Sequence, residues 1–133
     1  MRDVARFALD QAVSSSSGGF NVTHPEGISF SGFLNECLAV MKSDGTPVWV
    51  DANVLAEHGV KQWTEPPLWR THAGVWAVDS HRASEVGLRC RPIAETVRDT
   101  WKWWAEDGRP VDHPRWAEHG IAPEKEARIL ASL

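Results

Sequence analysis

The sequence predicts an α/β fold: a small mixed or parallel sheet of about three short strands, with five to six helices. Three β-prone runs, Phe20–Thr23, Pro47–Val50 and Val75–Val78, alternate with segments whose apolar residues repeat at the 3.6-residue period of a helix. Strands that alternate with helices pair in parallel through right-handed crossovers, so we expect one sheet. The length suits a single domain over residues 1–133.

The first helix is predicted to begin with Asp3 as its N-cap and to run to Val13. Its apolar positions share one face and are Val4, Phe7, Ala8 and Ala12. The following Ser14–Gly19 segment consists of serine and glycine, which favour turns, so it is predicted to be a loop.

Each of the first two predicted strands is followed by a helix. Ser29 is placed to cap a helix whose apolar positions extend to Met41. Asp51 is placed to cap a shorter helix that stops at Gly59, a residue type typical just past a helix end. The next segment, Trp63–His72, has two prolines, two tryptophans and no period, which predicts an ordered loop.

The third predicted strand leads into Asp79, which is placed to cap a helical turn over Ser80–Glu85. A turn at Gly87 then precedes a proline-started helix over Ile93–Trp104. The helical spacing places four of its residues on a core face: Ile93, Val97, Trp101 and Trp104. Two short helices are predicted to follow, one over Asp112–His119 and one started by Pro123.

Charge and hydropathy exclude several classes of function. The net charge is -4 and the 14 basic residues are scattered, whereas a nucleic-acid surface needs clustered lysine and arginine. No apolar run approaches the roughly 18–20 residues that span a bilayer. We therefore expect neither a nucleic-acid partner nor a membrane partner, and a cytoplasmic location.

The cysteine and histidine patterns do not indicate a metal site. Cys37 and Cys90 are far apart in sequence and are predicted to be reduced thiols. The six histidines form no pair at i, i+4, and no C-x-x-C motif accompanies them. We therefore expect no metal ligands.

Five side chains are candidates for binding a small molecule. Arg89 and Arg91 alternate on an extended stretch, where both guanidinium groups either bind an anionic ligand or stay solvated. Arg82 either lines a pocket or pairs with a neighbouring carboxylate. Trp63 and Trp69 in the proline-rich loop either form a wall of a substrate site or cover a hydrophobic partner.

Several strings, in order, resemble the C-terminal tail of the extended short-chain dehydrogenases/reductases, the NAD-dependent epimerase/dehydratase family, and especially its reductase-like members. The strings are Arg2-Asp3-Val4-Ala5, Phe20-Asn21-Val22-Thr23, Ser29–Leu38, Val48–Asp51, Val78-Asp79-Ser80 with Arg82-Ala83, and Pro92–Trp104. Together they cover nearly the whole chain. Two family features are absent, namely the Gly-rich nucleotide loop and, since the chain has no tyrosine, the Tyr-x-x-x-Lys pair.

The resemblance implies a substrate-binding, C-terminal lobe without the Rossmann nucleotide domain. It implies that the full-length family binds NAD or NADP through that domain, and that this chain carries no catalytic residue and no cofactor-binding residue. The expected partner is a nucleotide-binding half or a second copy of the chain, with the first helix or the Trp63–Trp69 loop in a homodimer interface. The alternative is a non-catalytic binding or oligomerisation module derived from that family.

Overall fold

The computed structural model of this protein describes residues 2–108, 113–115 and 118–133. Within those ranges the regular secondary structure is helical and no residue belongs to a β-strand, so the α/β prediction is wrong. The six α-helices in these ranges are α1 Arg2–Val13, α2 Phe30–Met41, α3 Ala52–Glu57, α4 His81–Glu85, α5 Ile93–Lys102 and α6 Pro123–Leu130. A π-helical turn, Trp103–Asp107, continues α5. Of the predicted helix Asp112–His119, residues 112, 116 and 117 are not described, and the described residues 113–115 and 118–119 do not belong to an α-helix.

The helices form where short-range signals predict them. The Ser29 hydroxyl accepts a hydrogen bond from the Gly32 amide at 3.1 Å and so caps α2. The Asp51 carboxylate accepts from the Asn53 amide at 2.7 Å and caps α3. Pro123 occupies the first turn of α6, where a missing N–H costs nothing. These three predictions are confirmed.

Two of the predicted strands lie side by side but are joined by side chains. The Asn21 side-chain amide donates to the Asp79 carbonyl at 3.0 Å, and the Thr23 hydroxyl donates to the Val78 carbonyl at 3.4 Å. The Val78 amide is already bonded to the Trp76 carbonyl at 2.9 Å within a local turn. An amide used locally cannot join a ladder between strands, so Phe20–Thr23 and Val75–Val78 do not become a sheet.

The remaining predicted strand, Pro47–Val50, does not form regular secondary structure. It starts with proline, which has no N–H to donate to a ladder. An extended run becomes a strand only when another strand is available beside it, and β-propensity alone does not supply that neighbour.

The chain divides into two compact units, the first of which comprises Met1–Gly45 and Trp76–Arg109. Its core is formed by Phe7 of α1, Ala83 of α4 and Leu88, which are 5%, 0% and 1% exposed. Phe20 packs its ring edge-on against Phe7, with ring centroids 5.6 Å apart. This cluster attaches α1 and the 20–23 segment to the α4 turn.

Helix α2 packs against α5 in the same unit. Val97 is buried there, whereas Trp101 and Trp104 are 39% and 46% exposed, so their predicted place in the core is wrong. They line an open apolar groove of about 300 Å³ together with Phe33 and Met41. Helical spacing identified the face of α5 that packs against α2, but Trp101 and Trp104 on that face stay partly exposed.

The second unit comprises Thr46–Val75 and Pro110–Leu133. Val60 and Ile129 are its buried apolar residues within the described ranges, at 7% and 3% exposure. The ammonium group of Lys125 on α6 donates to the Glu65 carboxylate at 2.8 Å and to the Gly59 carbonyl at 2.8 Å. These contacts fix the loop after α3 against α6.

Candidate functional site

The first unit contains a cavity of about 610 Å³ between the His24–Ile28 segment and the Leu88–Ile93 segment. Most of its wall is apolar, with Leu88, Ile28 and Ile93 among the lining side chains. Five polar or titratable residues also line the wall: His24, Glu26, Ser84, Arg89 and Cys90. An apolar hollow with a few polar groups is the usual form of a small-molecule site.

Arg89 is positioned at this cavity by the backbone of the α4 turn. Its Nη1 atom donates to the Leu88 carbonyl at 2.9 Å and to the Ser84 carbonyl at 3.3 Å. The ion pairs found among the described residues do not include Arg89. Its guanidinium is therefore held in place while its remaining N–H groups are free to bind an anionic ligand group.

His24 lines the cavity and also has a buried polar atom. Its ring Nδ1 is buried and has no hydrogen-bond partner within the described residues. A buried polar atom without a partner is costly. The ring nitrogen either donates or accepts, depending on the tautomer.

Cys90 borders the cavity as a neutral thiol. Burial raises its pKa first, and the nearby negative charge of Asp3 raises it further. Cysteine reacts as a thiolate, so a raised pKa disfavours a nucleophilic role. Cys37 is similar, because burial and the charge of Glu36 raise its pKa as well. Both cysteines are free thiols, as predicted.

The predicted binding residues Arg91 and Arg82 are engaged in contacts within the fold. Arg91 forms a bidentate pair with Asp3, at 2.7 and 3.0 Å. Arg82 donates to the carbonyls of Ser17 and Gly19, each at 3.1 Å, and stacks on Phe20 at 4.8 Å. The Arg91 guanidinium therefore joins α1 to the segment before α5, and the Arg82 guanidinium joins the loop after α1 to α4.

Gly18 leaves room for the Arg82 guanidinium to bind the carbonyls of Ser17 and Gly19. Gly18 has φ +109°, and a Cβ placed there would lie 2.7 Å from Arg82 Nη2. Both the left-handed backbone and the close approach favour glycine at this position.

The predicted binding residues Trp63 and Trp69 lie in the second unit. The Trp63 amide donates to the Trp69 carbonyl at 3.3 Å, which closes the loop between them. The Gln62 side chain joins Thr71 through two further hydrogen bonds, at 2.7 and 3.1 Å. Trp63 is 47% exposed and has the Arg70 guanidinium 4.9 Å from its ring centre. The structure thus brings the two tryptophans together in one closed, partly exposed loop.

Arg89 is the predicted binding residue that the structure places at the cavity, and His24 was missed. The available sequence signal for His24 was weak, since it is a single histidine in the His24-Pro25-Glu26-Gly27 turn. Its place beside Arg89 depends on packing between segments that are far apart in sequence.

Two kinds of feature are absent from the described residues, a metal-binding cluster and a membrane-spanning helix. No group of three His, Cys, Asp or Glu side chains converges in a way that could hold a metal ion there. None of the helices in the described part combines the length and the apolar character needed to cross a bilayer.

Comparison of the chain with protein-family models, with curated proteins and with solved structures found no match.

Proposed function

We propose that this chain is a substrate-binding lobe of an NAD(P)-dependent reductase- or epimerase-like system and that it binds a small molecule in the His24–Ile93 cavity. The observation that carries this proposal is a guanidinium, Arg89, that is fixed by two carbonyls at an apolar cavity and has no ion-pair partner within the described residues. The ordered resemblance of the sequence to the tail of that family supports the class of reaction. Asn21 and Asp79 belong to two of the sequence strings that carry this resemblance, and the hydrogen bond between them is compatible with the proposal.

The walls of the cavity define the chemistry of the ligand. A carboxylate or phosphate would pair with Arg89, and an apolar body would lie against Leu88 and Ile93. A carbonyl or hydroxyl group on the same ligand would lie against the polar part of the wall, which includes His24 and Ser84. Acidic carbonyl compounds with an apolar substituent combine these features.

This lobe binds rather than catalyses when alone. The Tyr-x-x-x-Lys pair of the resembling family is absent because the chain has no tyrosine, and the Gly-rich phosphate loop is absent as well. The residues present therefore do not fit a nicotinamide cofactor, and the hydride step belongs to a separate nucleotide-binding half. Two free thiols favour a reducing, cytoplasmic location.

A titration calorimetry experiment with phenylpyruvate tests the proposal, since this probe combines a carboxylate, a carbonyl and an apolar ring. We expect binding by the wild type, weaker binding of the neutral ketone 4-phenyl-2-butanone, and a loss of about tenfold to a hundredfold in Arg89→Ala. The matched control is Arg98→Ala, an exposed arginine of α5 outside this cavity. Equal affinity in Arg89→Ala and the wild type would contradict the proposal.

Titration calorimetry also tests the proposal that NAD or NADP is bound by a separate nucleotide-binding half and not by this chain. NAD or NADP added to this chain alone is expected to release no binding heat. Micromolar affinity for either nucleotide would show that the chain holds a cofactor site of its own.

The second candidate function is a non-catalytic oligomerisation module. The observation that favours it is the exposed apolar surface of α1, on which Leu9 and Val13 are 70% and 89% exposed. Failure of every ligand probe, together with self-association through α1, would favour this candidate over the substrate-binding lobe.

A further inference from the structure

The cavity of the first unit is lined by two opposite charges that do not pair with each other. Arg89 belongs to the Leu88–Ile93 wall and Glu26 belongs to the His24–Ile28 wall. The ion pairs found among the described residues include neither of these side chains. A positive and a negative group therefore border the same hollow without neutralising each other.

Glu26 is placed at the cavity by a tight turn. The Gly27 amide donates to the His24 carbonyl at 3.2 Å, which closes the turn from His24 to Gly27. Pro25 restricts its own φ, and Gly27 takes a φ of +65°, in the left-handed region that glycine adopts readily. The hydrogen bond and these two residue types restrain the backbone that carries Glu26, just as two carbonyls restrain Arg89 on the opposite wall.

We propose that the ligand of this cavity is a zwitterionic amino acid with an apolar side chain, whose carboxylate pairs with Arg89 and whose ammonium group pairs with Glu26. This inference rests on the proposed substrate-binding function and names the class of ligand for the same cavity. The two charges of the zwitterion match the two charged walls. Its apolar side chain matches the apolar part of the wall, which includes Ile28, Leu88 and Ile93.

A ligand with a single charge satisfies only one of the two walls. A keto acid pairs with Arg89, but it leaves the Glu26 carboxylate without a cation and brings a second negative charge into the hollow. An amine without a carboxylate pairs with Glu26 and leaves Arg89 without an anion. Because specificity is a difference between affinities, we expect the amino acid to bind more tightly than the keto acid with the same side chain.

The cavity has room for an amino acid with an aromatic side chain. Its volume of about 610 Å³ lies within the range of about 300–1,000 Å³ that is usual for small-molecule sites. Cys90 adds no charge to the wall, because burial raises the pKa of its thiol and keeps it neutral. Phenylalanine is therefore a suitable probe, since it differs from phenylpyruvate only in carrying an ammonium group in place of the ketone.

Titration calorimetry of the whole chain with four related compounds tests the proposal. Phenylalanine is expected to bind more tightly than phenylpyruvate. It is also expected to bind more tightly than N-acetylphenylalanine, which lacks the ammonium group, and than phenylalaninamide, which lacks the carboxylate. Glu26 is exposed, so solvent screens part of its attraction, and we expect the ammonium group to contribute a factor of about five in affinity.

Glu26→Gln removes the negative charge and keeps the shape of the side chain. It is expected to weaken phenylalanine binding about fivefold and to leave phenylpyruvate binding unchanged or slightly tighter, which also verifies that the cavity is intact. Arg89→Ala is expected to weaken the binding of both compounds. Glu57→Gln, at an exposed residue of α3 that does not line this cavity, is the matched control and should leave both affinities unchanged.

The outcomes separate this inference from the proposed function. If phenylpyruvate binds but phenylalanine binds no more tightly, or if Glu26→Gln weakens both compounds equally or neither, the zwitterion assignment is overturned and the substrate-binding role stands. If phenylalanine binding depends on both charges while phenylpyruvate does not bind, the zwitterion assignment is supported and the acidic carbonyl class is contradicted. If neither compound binds, both proposals are overturned.

Discussion

The guanidinium of Arg91 forms a hydrogen-bonded ion pair with the carboxylate of Asp3, with Nη2 2.7 Å from Oδ1 and Nε 3.0 Å from both oxygens. The two side chains are only 17% and 15% exposed, and 88 residues separate them in sequence. Arg91 also reaches Asp99, which Arg2 of α1 contacts as well. This pair therefore connects the start of α1 to the segment that leads into α5.

Asp3→Asn is expected to lower the melting temperature of the protein at neutral pH by a few degrees. The hydrogen bonds from Arg91 are the main reason that the pKa of Asp3 lies below its usual range. Since the folded pKa is below the unfolded value of about 3.9, the stabilisation is present above that value and is lost as the pH falls through the folded pKa. The difference between wild type and Asp3→Asn should shrink correspondingly between neutral pH and about pH 3.

Thermal unfolding followed by circular dichroism at several pH values measures this difference. Asp44→Asn, a change of the same kind at an exposed residue just beyond α2, is the control and should leave the melting temperature unchanged. A pH-independent gap between Asp3→Asn and wild type would contradict the assigned role of the ion pair.

Phe7→Ala is expected to destabilise the first unit by about 3–5 kcal/mol, because it empties the centre of a buried cluster. Phe7 is 5% exposed and its ring meets Phe20 edge-on. The matched variant is Leu9→Ala on the same helix, where the side chain is 70% exposed and the loss should be below about 0.5 kcal/mol. Urea denaturation at a concentration where the protein is monomeric compares the two, and equal losses would be inconsistent with the observed orientation of α1.

Trp101→Ala is expected to cost roughly 1–2 kcal/mol, which is less than a fully buried tryptophan would cost. The sequence pattern placed Trp101 in the core, but the structure leaves 39% of it exposed in the groove beside α2. The same urea denaturation distinguishes a buried Trp101 from a partly exposed one. A loss as large as that of Phe7→Ala would favour the sequence-based placement over the structure.

Lys125→Ala is expected to loosen the tryptophan loop of the second unit. Lys125 binds the Glu65 carboxylate, which in turn accepts the Lys61 amide at 2.5 Å. These contacts, with Lys125 first, hold the pKa of Glu65 below its usual range, so their stabilisation is also lost on acidification.

Hydrogen exchange over residues 61–71 should become faster in Lys125→Ala at neutral pH. Lys102→Ala, which removes an exposed pair with Glu106 at 3.8 Å, is the control and should leave this loop unchanged. Unchanged exchange in both variants would show that the Glu65 pair does not hold the loop.

The helices could be predicted from the sequence because their signals are local. Ser29 and Asp51 each cap a helix within three residues, and a few positions of apolar period then suffice. Asp79 lies one residue before Ser80, the N-cap of α4, and its carboxylate accepts the His81 amide at 2.8 Å, so its stabilising role at this helix start was predictable although its position as N-cap was not correct. Asp3, in contrast, lies inside α1, and its carboxylate binds Arg91 rather than capping the helix.

The sheet could not be predicted reliably, because strand formation depends on a neighbour that is distant in sequence. Phe20–Thr23 does lie beside Val78 and Asp79, but Asn21 and Thr23 use their side chains to make the contact. The candidate site was predictable only in part for the same reason. The ability of Arg89 to bind an anion follows from its residue type. The place of His24 at the cavity depends instead on the segment that packs opposite it.

A nitrogen–proton correlation spectrum recorded during a titration with phenylpyruvate tests the central claim most directly. The account predicts that the amides of Glu26, Arg89 and Cys90, at the cavity, shift progressively and saturate in the wild type but not in Arg89→Ala. The Trp63 and Trp69 amides in the second unit report separately on the predicted tryptophan site. No saturable shift at the cavity, or shifts confined to the tryptophan loop, would contradict the claim that this cavity binds the substrate.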